Sequence, residues 1–118
     1  MSEANKQVVR KLNKAFESDD AETILSCLTD DIRWHVAGHF TANGKQEFES
    51  QIHNDAFEGA PTITIKNEIA EGDYLAVEGS VTSKLKGGAA FNAVFHNTYL
   101  LKDGKVKAMT SYVVPIMR

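Results

Sequence analysis

Residues 62–115 read TITIKNEIAEGDYLAVEGSVTSKLKGGAAFNAVFHNTYLLKDGKVKAMTSYVVP, and apolar and polar side chains alternate along much of this segment. A period of two is typical of β-strands with one buried face. Three breaks interrupt it, at residues 71–73 (EGD), 86–88 (KGG) and 102–104 (KDG), and each contains glycine. Because Asp-Gly and Gly-Gly suit the positive φ of tight turns, we predict antiparallel strands over 62–70, 74–84, 89–101 and 105–115.

Upstream of this segment, apolar residues recur at three- and four-residue steps, which is typical of amphipathic helices. The pattern predicts three helices. The first covers residues 3–17, the second runs from an N-cap at Asp20 to about Leu28, and the third runs from an N-cap at Asn43 to a point before Gly59. A short strand is predicted over residues 32–36, with a turn over 29–31 and a loop over 38–44. Helices followed by hairpins indicate an α+β fold, cone-shaped, with three N-terminal helices packed in a curved antiparallel sheet. Such a cone often leaves an apolar pocket at its wide end.

Composition fits one domain over residues 1–118, with 42% hydrophobic and 25% charged side chains. The net charge of −3 disfavours a nucleic-acid partner, because phosphate binding needs a surplus of Lys and Arg. The single cysteine, Cys27, leaves no internal disulfide pair. We find no apolar run long enough for a bilayer and no signal peptide, so we expect no membrane partner and a cytoplasmic location.

The order of these elements, together with residues 28–34 (LTDDIRW), 44–48 (GKQEF), 71–73 (EGD) and 101–106 (LKDGKV), resembles the nuclear-transport-factor-2-like superfamily. Within it, the chain is most similar to ketosteroid-isomerase-related and SnoaL-like proteins. The resemblance implies the cone fold in a single SnoaL-like domain, no cofactor, and a homodimer formed through the outer face of the sheet. Members include isomerases, cyclases, epoxide hydrolases, dehydratases and non-catalytic binders, so the resemblance leaves the function open.

The catalytic carboxylates of these relatives are not matched here. By resemblance, the isomerase general base falls at Val36, its helix-borne Tyr at Leu12 and its protonated Asp at His96. The Asp of SnoaL-like cyclases falls at about Val114. Epoxide hydrolases of this fold need an Asp–Arg–Asp cluster, and residues 74–101 contain no Arg.

His96 is the one candidate catalytic residue, because an imidazole with a pKa near 6.5 can serve as acid or base. Alternation places it with Val94, Thr98 and Leu100 on a predicted pocket face; the alternative is a strand histidine bonded to a neighbour or lying at an interface. Trp34 is either core or a flat wall for a ligand. The predicted ligand-binding residues are Trp34, Val36, Phe48, His53, Thr98, Tyr112 and Val114. No metal is expected, because His35, His39 and His53 lack a spacing that would complete a ligand set.

Three functions remain open at this level. The first is a protein that binds a small apolar or aromatic molecule, without specified activity. The second is a cofactor-independent isomerase, cyclase or dehydratase that uses His96 as acid or base. The third is a non-catalytic dimeric module whose own side chains fill the cone. We predict a homodimer because Phe95 and Tyr99 are expected on the outer face of the sheet, where apolar side chains call for a partner.

Overall fold

A computed structural model describes residues 2–52 and 57–116. Its elements are α1 (Ser2–Glu17), α2 (Ala21–Ser26), β1 (Leu28–Val36), β2 (Phe40–Asn43), α3 (Gly44–Ser50), β3 (Phe57–Glu71), β4 (Tyr74–Leu85), β5 (Ala90–Lys102) and β6 (Lys105–Pro115). The α+β class, the three helices and the four long hairpin strands are therefore confirmed.

Within the described residues, six strands form one curved sheet in the order β2-β1-β6-β5-β4-β3. Strands β3 to β6 pair antiparallel as successive hairpins, as predicted. Strand β1 instead lies parallel to β6 and antiparallel to β2. The sheet is therefore mixed rather than wholly antiparallel.

Two local predictions around β1 were wrong. Residues 29–31 belong to β1 rather than to a turn, and residues 40–43 form β2 rather than a loop. Residues 40–43 pair with residues 33–36 of β1, and this pairing overrides the local turn preference of Thr and Asn. Residues 29–31 lie where the pairing of β1 with β6 shifts register. The Nζ of Lys107, on β6, lies 2.8 Å from a carboxylate oxygen of Asp31 and helps hold this part of β1 beside its neighbour.

The helices pack on one face of the sheet, which we call the inner face. Helix α1 buries Val9, Leu12 and Ala15. Its Arg10 donates three hydrogen bonds to the carboxylate of Glu68 on β3, and the shortest spans 2.7 Å. Helix α1 is thus tied to the edge strand of the sheet by an ion pair as well as by apolar contact.

The helix caps follow the sequence only in part. Asp20 caps α2 as predicted, since its carboxylate accepts a hydrogen bond from the backbone N–H of Thr23 at 3.1 Å. Asn43 occupies the N-cap position of α3, but its side chain makes no capping bond. Its own N–H donates instead to the carboxylate of Glu47 at 2.8 Å.

No helix in the described part of the chain combines the length and the apolar character needed to cross a bilayer.

Strand β5 determines what lies inside the cone. Phe95 and Tyr99 point to the inner face, with exposed fractions of 8% and 0%. The prediction that they lie on the outer face was therefore wrong. Their neighbours Val94 and His96 are exposed on the opposite side. Side chains along a strand point alternately to the two faces of the sheet. An assignment that is wrong by one residue therefore places every side chain of β5 on the wrong face.

Candidate functional site

A cavity of about 610 Å³ lies between helix α1 and the inner face of the sheet. Helix α1 contributes Asn13 and Phe16, and the end of α3 contributes Gln51 and Ile52. The remaining lining comes from the inner faces of β1 to β6. The cavity is therefore formed by elements that the hydrophobic core holds together.

Aromatic rings form one wall of this cavity. The Trp34 ring stacks on Phe48 with ring centroids 4.6 Å apart, and Phe40 meets it edge-on at 5.2 Å. The Trp34 indole N–H donates to the hydroxyl of Ser111 at 3.0 Å, which fixes the orientation of the ring. Phe16 lies 6.1 Å from the same ring. The arrangement presents a flat, pre-oriented apolar surface of the kind on which a planar molecule stacks.

Two asparagines of the cavity lining and the buried Tyr99 form a hydrogen-bonded polar group. The amide nitrogen of Asn97 lies 3.0 Å from the hydroxyl of Tyr99, and that hydroxyl donates to the amide oxygen of Asn13 at 3.4 Å. Asn13 comes from α1 and Asn97 from β5, so the hydroxyl joins the helix to the sheet. Burial raises the pKa of Tyr99 to about 12, which keeps the hydroxyl protonated at neutral pH.

This polar group leaves two atoms without hydrogen-bond partners. They are the amide nitrogen of Asn13 and the amide oxygen of Asn97, and both are buried. Asn13 is only 8% exposed. A buried polar group without a partner is costly, on the order of 1–3 kcal/mol, so native proteins seldom leave one without a reason. One donor and one acceptor are therefore left unpaired on two residues that line the cavity.

The cavity lining is electrically neutral. Among the described residues that line it, none carries a carboxylate, an imidazole, an ammonium or a guanidinium group. Nor do the described residues contain a cluster of three or more side chains suited to a metal ion. The site can thus stack, exclude water and donate or accept hydrogen bonds. It offers no described side chain that titrates near neutral pH.

The structure separates the predicted site residues into two groups. Trp34 and Val36 line the cavity, and Phe48 is fully buried behind Trp34. His96, Tyr112 and Val114 instead line a separate hollow on the outer face of the sheet. Thr98 alternates with His96 on β5 and shares that outer side. The predicted pocket positions of His96, Thr98, Tyr112 and Val114 were wrong, and His53 lies outside the described residues.

The sequence interpretation missed Asn13 and Asn97 by one residue each. The positions assigned by resemblance were Leu12, which is buried in the core, and His96, which faces outward. Two signals pointed to the correct residues. Asn13 falls in the apolar stripe of α1 at steps of four and three from Val9 and Phe16, and Asn97 alternates with Phe95 and Tyr99. A polar amide in an otherwise apolar stripe is the pattern expected of a functional residue in a core.

Residues 9–109 match the family model of the SnoaL-like domain. The chain belongs to the SnoaL-like family. A comparison with curated proteins finds no match.

Solved structures support the same fold. An NTF2-like protein of unknown function from Burkholderia pseudomallei has a TM-score of 0.85 at 22% identity, covering 94% of this chain and 90% of that one. A protein from Jannaschia sp. is named as a candidate SnoaL-like polyketide cyclase. Its TM-score is 0.85 at 17% identity, and the match covers 95% of this chain and 86% of that one. An LEH-like epoxide hydrolase from Mycobacterium tuberculosis has a TM-score of 0.84 at 14% identity, covering 95% of this chain and 84% of that one. At these identities the likeness establishes the fold and leaves the chemistry to the residues of the site.

Proposed function

We propose that this SnoaL-like protein binds a small, uncharged, largely apolar and planar molecule in the cavity beneath α1. The observation that carries the proposal is an aromatic-walled cavity whose polar groups are all neutral among the described residues. Its volume of about 610 Å³ falls within the range of small-molecule sites, about 300–1,000 Å³. A charged ligand would lose its hydration there without gaining an opposite charge.

Binding without proton transfer is the form of the proposal that the residues favour. An isomerase, cyclase or dehydratase of this fold would need an acid or base in contact with the substrate. His96, the candidate for that role, lies on the other face of the sheet, so its placement gives no support to that alternative. The cavity also argues against a module whose cone is filled by its own side chains.

Fluorescence can test this proposal directly, because Trp34 is the single tryptophan and lines the cavity. We expect naphthalene and naphthol to change the Trp34 emission and to raise the melting temperature in a saturable manner. Val113 also lines the cavity, so Val113→Phe should fill part of it and weaken both effects. His96→Ala, on the outer face, is the matched control and should bind like the wild type. Absence of binding by neutral aromatic compounds, or its loss in His96→Ala alone, would overturn the proposal.

We also propose that the protein forms a homodimer through the outer face of its sheet. A hollow of about 590 Å³ lies on this face, lined in part by the exposed apolar side chains of Ile65, Val94, Tyr112 and Val114. Lys66 and Glu78 border the same hollow, so the face carries both signs of charge. A surface that is apolar and of mixed charge suits a second copy of itself better than a strongly charged partner.

A cytoplasmic location remains part of the proposal, and cell fractionation would test it.

A further inference from the structure

We infer that Asn13, Tyr99 and Asn97 form a subsite for a neutral polar group that presents a hydrogen-bond acceptor beside a donor, as a primary carboxamide or a lactam does. This inference rests on the proposed function and specifies which uncharged molecules the cavity selects. The aromatic wall would hold the apolar part of such a molecule, and the two amides would hold its polar edge.

The argument starts from the three hydrogen-bonding groups themselves. The Tyr99 hydroxyl has one proton to donate, and its oxygen can also accept. It lies 3.4 Å from the amide oxygen of Asn13 and 3.0 Å from the amide nitrogen of Asn97. One amide therefore accepts from the hydroxyl and the other donates to it. Each amide has its second polar atom left over.

The leftover pair is one donor and one acceptor whenever the hydroxyl donates to one amide and accepts from the other. Oxygen and nitrogen of an Asn side chain can be interchanged by a half-turn, and the hydrogen-bond network decides between them. If both amides turn, Asn13 donates to the hydroxyl and Asn97 accepts from it. The atoms left free are then an acceptor on Asn13 and a donor on Asn97. If only Asn97 turns, the hydroxyl faces two acceptors, and its single proton reaches only one of them. If only Asn13 turns, the hydroxyl oxygen faces two donors, and its own proton is left without an acceptor.

Every orientation in which the hydroxyl both donates and accepts thus leaves one donor and one acceptor on two residues that line the cavity. In the observed orientation these are the amide nitrogen of Asn13 and the amide oxygen of Asn97, both buried and without partners among the described residues. A carboxylate would place an acceptor against the Asn97 oxygen, and the described lining offers no cation to offset that repulsion. An ester offers acceptors alone. A carboxamide offers a partner of the matching kind to each leftover atom.

The test compares four probes on the wild-type protein: naphthalene, naphthamide, methyl naphthoate and naphthoate. We expect naphthamide to bind roughly ten-fold or more tightly than the ester and the carboxylate, because only the amide leaves neither Asn atom unpaired. Isothermal titration calorimetry measures the affinities, and Trp34 fluorescence provides an independent readout. Equal affinity of naphthamide and methyl naphthoate would overturn the inference.

Variants then assign the preference to the residues. Asn97→Leu should remove the advantage of naphthamide while keeping the affinity for naphthalene. Asn92→Leu is the matched control, because Asn92 is an exposed residue of the same strand that does not line the cavity. An unchanged preference in Asn97→Leu would contradict the inference. If naphthalene binds and the amide has no advantage, only this inference is contradicted. If no neutral probe binds, both this inference and the proposed function are contradicted.

Discussion

Tyr99 couples the cavity to the stability of the protein. Its ring is fully buried, and its hydroxyl is held between Asn13 and Asn97. Burial raises the pKa of the phenol from about 10 to about 12, and the negative charge of Glu68 adds to the effect. The folded state therefore retains the phenol proton at pH values where the unfolded chain loses it.

This difference predicts a loss of stability in base. Below about pH 10 both states are protonated, and the contribution of Tyr99 is constant. Between about pH 10 and pH 12 the unfolded state binds fewer protons than the folded state, so the free energy of unfolding falls by about 3 kcal/mol across this window. Urea unfolding at a series of pH values measures the fall. Tyr99→Phe should show a shallower slope over the same window, and identical slopes in both proteins would contradict the prediction.

The asparagines show how far single residues can be interpreted from the sequence. An Asn in the apolar stripe of α1 and another among the large apolar residues of β5 are visible in the sequence. What the sequence does not contain is the contact between them, because residues 13 and 97 meet only when α1 packs on the sheet. The resemblance pointed to the two elements but to the wrong neighbours, Leu12 and His96. A shift of one residue moves a strand side chain to the other face.

Strand β4 depends on a residue with no side chain. Gly79 lies on the strand beside Phe95 of β5, and a Cβ at this position would come within about 3.0 Å of the Phe95 ring. It would also collide with the backbone carbonyl oxygen of Thr64 on β3. The pairing of β3 with β4 shifts register between Ile65 and Asn67, next to this close approach. Glycine therefore lets the edge strand bend tightly over β4.

Gly79→Ala should accordingly destabilise the fold. The ring of Phe95 can move, but the carbonyl of Thr64 can shift only with its strand, so we expect a loss of about 1–3 kcal/mol. Thermal and urea unfolding give the difference. Ser80→Ala, at the next position of the same strand, is the control and should change stability far less. A Gly79→Ala protein as stable as the wild type would show that β3 is free to move away from β4.

At the level of elements, local signals and long-range pairing differ in how well they can be predicted. The β5–β6 turn follows from Asp103-Gly104, whose φ angles are 52° and 78°, as a tight hairpin turn requires. Strand β2 and the parallel pairing of β1 with β6 have no such local signal. They arise because β6 reaches β1 from the far end of the chain, with Trp34 beside Met109 and Val36 beside Ser111. Tertiary context therefore decides the structure of residues 28–43.

The whole molecule has two hollows on opposite faces of one sheet, and they differ in character. The inner cavity is lined by aromatic rings, most of them partly buried, and by neutral amides. The outer hollow is lined by partly exposed apolar side chains, with His96, Lys66 and Glu78 among them. An aromatic lining with fixed ring orientations suits a small molecule, whereas an apolar sheet face with charges of both signs suits another protein surface. The two faces of the sheet would thus serve binding and assembly separately.

This division of roles makes the outer face testable by charge. Val114 is 59% exposed at the hollow, so Val114→Lys should leave the folded monomer intact while placing an ammonium group in the proposed interface. We expect sedimentation velocity to show a dimer for the wild type and a monomer for the variant, with naphthalene binding retained in both. Glu22→Lys, on the exposed side of α2, introduces the same residue away from the face and should remain dimeric. A monomeric wild type would refute the dimer, whereas a variant that stays dimeric would move the interface elsewhere on the molecule.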